Sequence, residues 1–210
     1  MHLGKFVCYT FYMEQVGYIE KGVLPLVMGL NSVEKLMDTQ IKFADRDLVE
    51  SRDDVVQPIC AGVMITQDNK VLTIRKHAKA TGVSSPEKDK TLLYLGGHLD
   101  VLDNSLNNLE SFKIGMKREV EEETGFRIDN TCILKPIVTY TPTTLKSSKH
   151  FGVIFPVIIP KAFDLTFSDG VCSFVDVESL DAVDNLDSWS EIILREVIQK
   201  NKSLKNVIQL

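Results

Sequence analysis

The sequence predicts an α/β fold of the α+β type, a mixed sheet packed between helices in an α/β/α sandwich, with an N-terminal extension. Three observations predict it. Strand candidates occur in hairpin-like pairs more often than as strand–helix–strand units. One long helix with an apolar stripe interrupts them in mid-chain. A second helix follows the last strand, and the order strands, helix, strands, helix suits a sandwich better than a doubly wound sheet.

Residues 1–56 read as the extension and residues 57–210 as the main domain. Within the extension, Asn31 to Met37 reads as a short helix, and the charged run Asp45 to Asp54 closes the segment. From Pro58 the periodicity changes. Ile59 to Thr66 and Val71 to Lys76 are β-rich runs separated by Asp68-Asn69, a hairpin signature. A polar loop from Ala78 to Lys90 leads to a strand over Thr91 to Leu95, then Gly96-Gly97, a polar stretch, and a helix that ends near Thr124. Strands are expected at Cys132 to Tyr140, Phe151 to Ile159 and Val171 to Val177. A last helix is expected from Ser188 to about Lys200, with Trp189 as a packing residue.

Composition narrows the function classes. The 210 residues are 44% hydrophobic and 25% charged, which excludes disordered and collagen-like chains. A net charge of -5 offers no basic footprint for duplex nucleic acid or an anionic membrane. Gly22 to Val33 is free of charge but carries Pro25 and is too short for a membrane span, which takes about 20 residues. Phe6 to Met13 lacks the pattern of a signal peptide, so a cytoplasmic protein is expected. Cys8, Cys60, Cys132 and Cys172 form no CxxC pair and are expected to be reduced. His2, His77, His98 and His150 are too scattered for a zinc site.

The segment Glu110 to Phe126 carries the chemistry. At about 100° per residue, Leu109, Phe112, Met116 and Val120 fall in one stripe that should pack on the sheet. With Glu119 at the origin, Glu123 lies about 40° away and Glu122 about 60° away on the other side, whereas Glu121 faces roughly opposite. Gly125 is a C-cap candidate, so these carboxylates cluster at the end of the helix where the macrodipole disfavours negative charge. A solvated acidic face accounts for Glu121. Glu119, Glu122 and Glu123 lean toward the apolar side, where burial without a partner is costly. Arg118 can pair with one of them, and a hard divalent cation would turn the clustered charge into an advantage.

The string Arg118-Glu119-Val120-Glu121-Glu122-Glu123-Thr124-Gly125-Phe126, with Glu110 eight residues before Arg118, resembles the second half of the Nudix box of the Nudix hydrolases. The first half departs from it: the glycine expected six residues before Glu110 is Asn104. Upstream, Tyr94-Leu95-Gly96-Gly97-His98-Leu99-Asp100 resembles the strand and Gly-Gly opening of the motif. Twelve residues separate Gly97 from Glu110, which reads as an insertion of about seven in the loop. Such an expanded loop resembles a branch of the family described only as predicted phosphoesterases. The resemblance covers Pro58 to Lys200.

The resemblance implies cleavage of a diphosphate linkage in a nucleoside diphosphate derivative, by water attack at phosphorus with Mg2+ or Mn2+. By position, Glu122 and Glu123 would be metal carboxylates, Glu119 a metal ligand or the general base, and Gly97 a carbonyl ligand. Arg118 would orient the glutamates, with Glu110 in support. The base could instead come from a later loop, from Asp164, Asp169 or Glu178. Arg75 and Lys76 are candidates to face the phosphates, and Tyr140 and Pro142 lie where subclasses of the family place specificity residues. His98 reads as a supporting loop residue, and Asp100 and Asp103 as surface turn residues in preference to extra ligands. The implied partner is a small nucleotide-type molecule. A homodimer, common in the family, is one arrangement that the extension could build, a cap over the pocket another. Two alternatives stay open: a silent Nudix-fold nucleotide sensor, and an isomerase on the same fold, for which only Cys60 could serve as the required cysteine.

Overall fold

The computed structural model describes residues 14–76, 89–162, 167 and 170–200. Along the chain these form β1 (Gln15–Glu20), β2 (Gly29–Ser32), β3 (Lys42–Asp45), α1 (Arg46–Ser51), β4 (Val55–Thr66), β5 (Lys70–Lys76), β6 (Thr91–Leu92), β7 (Leu95–His98), α2 (Asn108–Thr124), β8 (Ile137–Tyr140), β9 (His150–Ile159), β10 (Gly170–Asp176) and α3 (Ser188–Ile193). Most of the strands lie in the order β10-β5-β4-β9-β8-β2; β1 and β7 pair with β4, β3 with β1, and β6 with β5. The sheet is mixed, because β4 and β9 run parallel and the remaining pairs antiparallel.

β4 is the axis. All its residues but Ile59 are buried, as expected of a strand covered on both faces. It pairs along Gln57 to Thr66 with β9 on one side, and on the other successively with β1, β7 and β5. Pro58 falls between the stretches paired with β1 and β7. Its carbonyl accepts from the Leu99 N–H at 3.3 Å, and the Leu99 carbonyl, which an N–H at position 58 would face, accepts the Gly17 N–H at 2.8 Å instead, so the missing donor leaves no acceptor unpaired. The hairpin to β5 turns at Asn69, in the left-handed region at φ 68°.

The helices cover opposite faces. Gly62 of β4 sits under Met116 and Val120 of α2, whereas Gly152 of β9 sits under Trp189 of α3. Gly152 pairs with Ile59, three positions from Gly62, so the two glycines face opposite ways. Phe112, Met116 and Val120 are fully buried, which is the stripe read from the sequence. No helix among the described residues is long and apolar enough to cross a membrane.

Several elements differ from expectation. Asn31 to Met37 is strand β2 followed by a 3-10 turn, not one helix. The Asn31 carboxamide accepts the Val27 N–H and donates to the Val27 carbonyl, which fixes a turn that delivers β2 to β8. Residues of the extension are therefore hydrogen-bonded into the sheet, β1 to β4 and β2 to β8. Gly96-Gly97, expected after a strand that ends at Leu95, lies inside β7. The expected strand from Cys132 begins only at Ile137, after Pro136; Asp129 caps a 3-10 turn over Asn130–Cys132 instead. The last helix is α-helical to Ile193 and widens to π-helix over Leu194–Gln199. The loop expected from Ala78 lies outside the described residues as far as residue 88.

Candidate metal and catalytic site

α2 is held at both ends by its own sequence. Asn107 accepts the Glu110 N–H at 2.9 Å as N-cap, and Gly125, at φ 70°, ends the helix with its N–H on the Glu121 carbonyl. Burial of the Phe112 stripe then fixes the rotation, which brings Arg118, Glu119 and Glu122 to the β7 side.

The Glu119 carboxylate lies directly over Gly97, where any Cβ would overlap it. The missing side chain at Gly97 leaves room for this carboxylate to rest on β7. The Glu119 side chain is 16% exposed and that of Glu122 59%. One Arg118 nitrogen, Nη1, donates to both, at 2.8 Å to Glu119 Oε1 and 3.0 Å to Glu122 Oε2. Burial pushes the Glu119 carboxyl up, against the pull of Arg118, while Glu122 and Asp103 add repulsion.

Arg118 is saturated. Its Nη2 donates to the His98 carbonyl at 2.9 Å, and Nε and Nη2 grip the two carboxylate oxygens of Asp103 at 3.0 and 2.9 Å. Burial alone would weaken its charge, but the Asp103 bond and the Glu119 and Asp103 charges outweigh this and raise its pKa. Asp103 is not a surface turn residue. It is 1% exposed and closes a reciprocal capping box with Asp100 in the expanded loop. A sequence signal existed in the Asp100-x-x-Asp103 spacing, which is that of a capping box.

Other candidates are placed elsewhere. Glu110 is not brought to the cluster: it pairs with Lys113 at 2.8 Å, one turn into the helix. Glu123 is partly buried on the next turn from Glu119, and Glu121 pairs with Arg127 on the outer side. Arg75 is exposed on β5 opposite Thr91 and Val171. Tyr140, at the end of β8, donates to the Ser148 carbonyl at 3.4 Å. Glu178 is exposed after β10, and Asp164 and Asp169 lie outside the described residues. His98 and His150 meet Nε2 to Nε2 at 3.4 Å. Burial and the neighbouring His150, Arg46, Arg118 and Lys146 lower the pKa of His98 to about 3, so it is neutral near pH 7. Cys60 is fully buried beneath Gly115 of α2, and burial pushes its thiol well up, which speaks against a catalytic cysteine.

Among the described residues no three His, Cys, Asp or Glu side chains converge as a ready metal centre. Arg118 stands between Glu119 and Glu122. The donors nonetheless suit a hard divalent cation: they are oxygens, two of the carboxylates already converge on one nitrogen, and the Glu119 carboxylate lies over Gly97, whose carbonyl is a further oxygen donor on the same strand.

No protein-family model matches the sequence, and none of the curated proteins is a detectable relative. Solved structures do match. Tm1382, provisionally assigned as a Nudix hydrolase, superposes with a TM-score of 0.69 at 22% identity, over 89% of this chain and 100% of that one. A MutT protein from Methanosarcina mazei Go1 gives 0.52 at 19%, over 70% and 96%. A bifunctional NMN adenylyltransferase/ADP-ribose pyrophosphatase from Francisella tularensis, complexed with AMP and Mn, gives 0.53 at 14%, over 69% of this chain and 42% of that protein. The chain has the Nudix fold.

Proposed function

We propose that this chain, built on the Nudix fold, is a divalent-metal-dependent hydrolase that cleaves the diphosphate linkage of a nucleoside diphosphate derivative by water attack at phosphorus. The observation that carries this reading is the Glu119 carboxylate seated on Gly97 and yoked to Glu122 by Arg118. A solvated acidic face would not bury one of its carboxylates against a glycine or hold two on one guanidinium nitrogen.

The Gly97 carbonyl with Glu119, Glu122 and Glu123 would hold Mg2+ or Mn2+. Bound there, the ion would neutralise diphosphate charge and acidify a water. Arg118 fixes the spacing of Glu119 and Glu122, which lowers the entropic cost of presenting both oxygens together. Glu119, whose proton affinity is raised by burial, is the first candidate for the base. Asp164, Asp169 or Glu178 would take that role if Glu119 is committed to the ion. Arg75 and Tyr140 are proposed as substrate contacts.

The Francisella tularensis complex with AMP and Mn makes adenine nucleotides with Mn2+ the first assay. Incubation of a panel of nucleoside diphosphate derivatives with each metal should yield a nucleoside monophosphate and the phosphorylated second group, and chelation should stop it. Tight nucleotide binding with no product under any metal condition would favour the silent sensor instead.

A further inference from the structure

We infer that Asp103, supplied by the expanded loop, is the positioning residue for the carboxylates that face the metal, acting through Arg118. This rests on the metal-dependent reading above. Asp103 reaches Arg118 across 15 residues of chain, yet makes the one fork-to-fork contact that this arginine has among the described residues. The contact is built for. The Asp100 N–H donates to Asp103 Oδ2 at 2.8 Å, and Gly115 leaves room for it, since a Cβ there would stand 3.0 Å from the same oxygen. At 1% exposure, Asp103 has no solvent to share its charge with.

The electrostatic consequence concerns competition. A guanidinium bonded only to Glu119 and Glu122 would neutralise the groups meant for the cation and could swing onto them fully. Asp103 takes two of the hydrogen bonds of Arg118 and offsets its charge, so the glutamates stay aligned and keep net negative charge. Partners behind metal ligands commonly change affinity by roughly 10–100-fold when removed. A loop staple alone would change stability and leave the affinity of the folded protein intact.

The test is Mn2+ affinity of the full chain, read from the spectrum of free Mn2+ by electron paramagnetic resonance, beside the metal-free melting temperature. Asp103→Asn should bind Mn2+ at least about ten-fold more weakly than the parent. Asp103→Glu, with the charge kept but displaced, should recover part of the loss. Glu121→Gln, which removes a charge from the outer side of the same helix, should bind as the parent does. Parent-like affinity in folded Asp103→Asn overturns the inference and leaves the metal reading intact. Failure of the parent to bind Mn2+ overturns both. Should Asp103→Asn not fold, Asp103→Ser, which also removes the charge, carries the comparison, and parent-like affinity there overturns the inference.

Discussion

Asp103 and Arg118 form a two-bonded ion pair, at 3.0 and 2.9 Å, that ties the expanded loop to the last turns of α2. One member is buried and the other one-quarter exposed, at 2% and 26% for the side chains. Removing Asp103 leaves two guanidinium hydrogen bonds of a partly buried arginine without their acceptor, while Glu119 and Glu122 still balance its charge, at a cost of about 1–3 kcal/mol. Asp103→Ala should therefore lower unfolding free energy by about that much in urea titration. Glu110→Ala, which breaks an i,i+3 pair that is 41% exposed on its acidic side, should cost under about 0.5 kcal/mol.

Gly97→Ala should separate packing from chain flexibility. The added methyl overlaps the Glu119 carboxylate, so β7 or the glutamate must move. A stability loss of about 1–3 kcal/mol is expected, as for other overpacked sites, with a larger proportional loss of turnover. Gly22→Ala, where a Cβ meets nothing within 4 Å, should change neither. Denaturant melts and steady-state rates on both variants check this.

His98 gives a pH signature of stability. Its folded pKa is lowered to about 3, below the unfolded value of about 6.5, so the unfolded chain binds the proton first. Stability from this group is present above about pH 6.5 and is lost as pH falls toward 3, by at most about 1.4 kcal/mol per unit. Unfolding free energies at pH 7.5 and 5 should fall less steeply for His98→Asn than for the parent. Equal slopes would mean that His98 does not set this dependence.

Cys60 should resist alkylation. It is fully buried and its thiol is pushed well up, so little thiolate forms at pH 8. Peptide mapping after iodoacetamide should show Cys60 unmodified in native protein and modified in urea. Modification in native protein, with loss of activity, would bring back the cysteine-dependent isomerase.

The legible parts of the site were those encoded by local spacing. The stripe of Phe112, Met116 and Val120 fixed which face of α2 is buried, and Gly125 fixed where it ends. The approach of Glu122 to Glu119 and to Arg118 follows from helical periodicity, at i,i+3 and i,i+4, whereas Arg118 reaches its neighbour Glu119 by the length of its side chain. Asp103 was not legible as a buried partner, because its meeting with Arg118 depends on how a loop folds back across space, and aspartates in loops are commonly exposed. The misread Asn31 to Met37 has the same origin: pairing of β2 with β8 overrides local helical preference. Glu110 kept the spacing of the motif and yet turned to Lys113, so spacing alone did not establish its partner.

The most direct test is the rate of hydrolysis of the best nucleoside diphosphate derivative with Mn2+, compared between the parent and Glu122→Gln. Glu122 is 59% exposed on its side chain, so its neutralisation should leave the melting temperature nearly unchanged. The predicted result is a fall in kcat of at least about 100-fold with the fold intact, equivalent to about 2.7 kcal/mol of transition-state stabilisation. Turnover equal to that of the parent in folded Glu122→Gln would contradict the account.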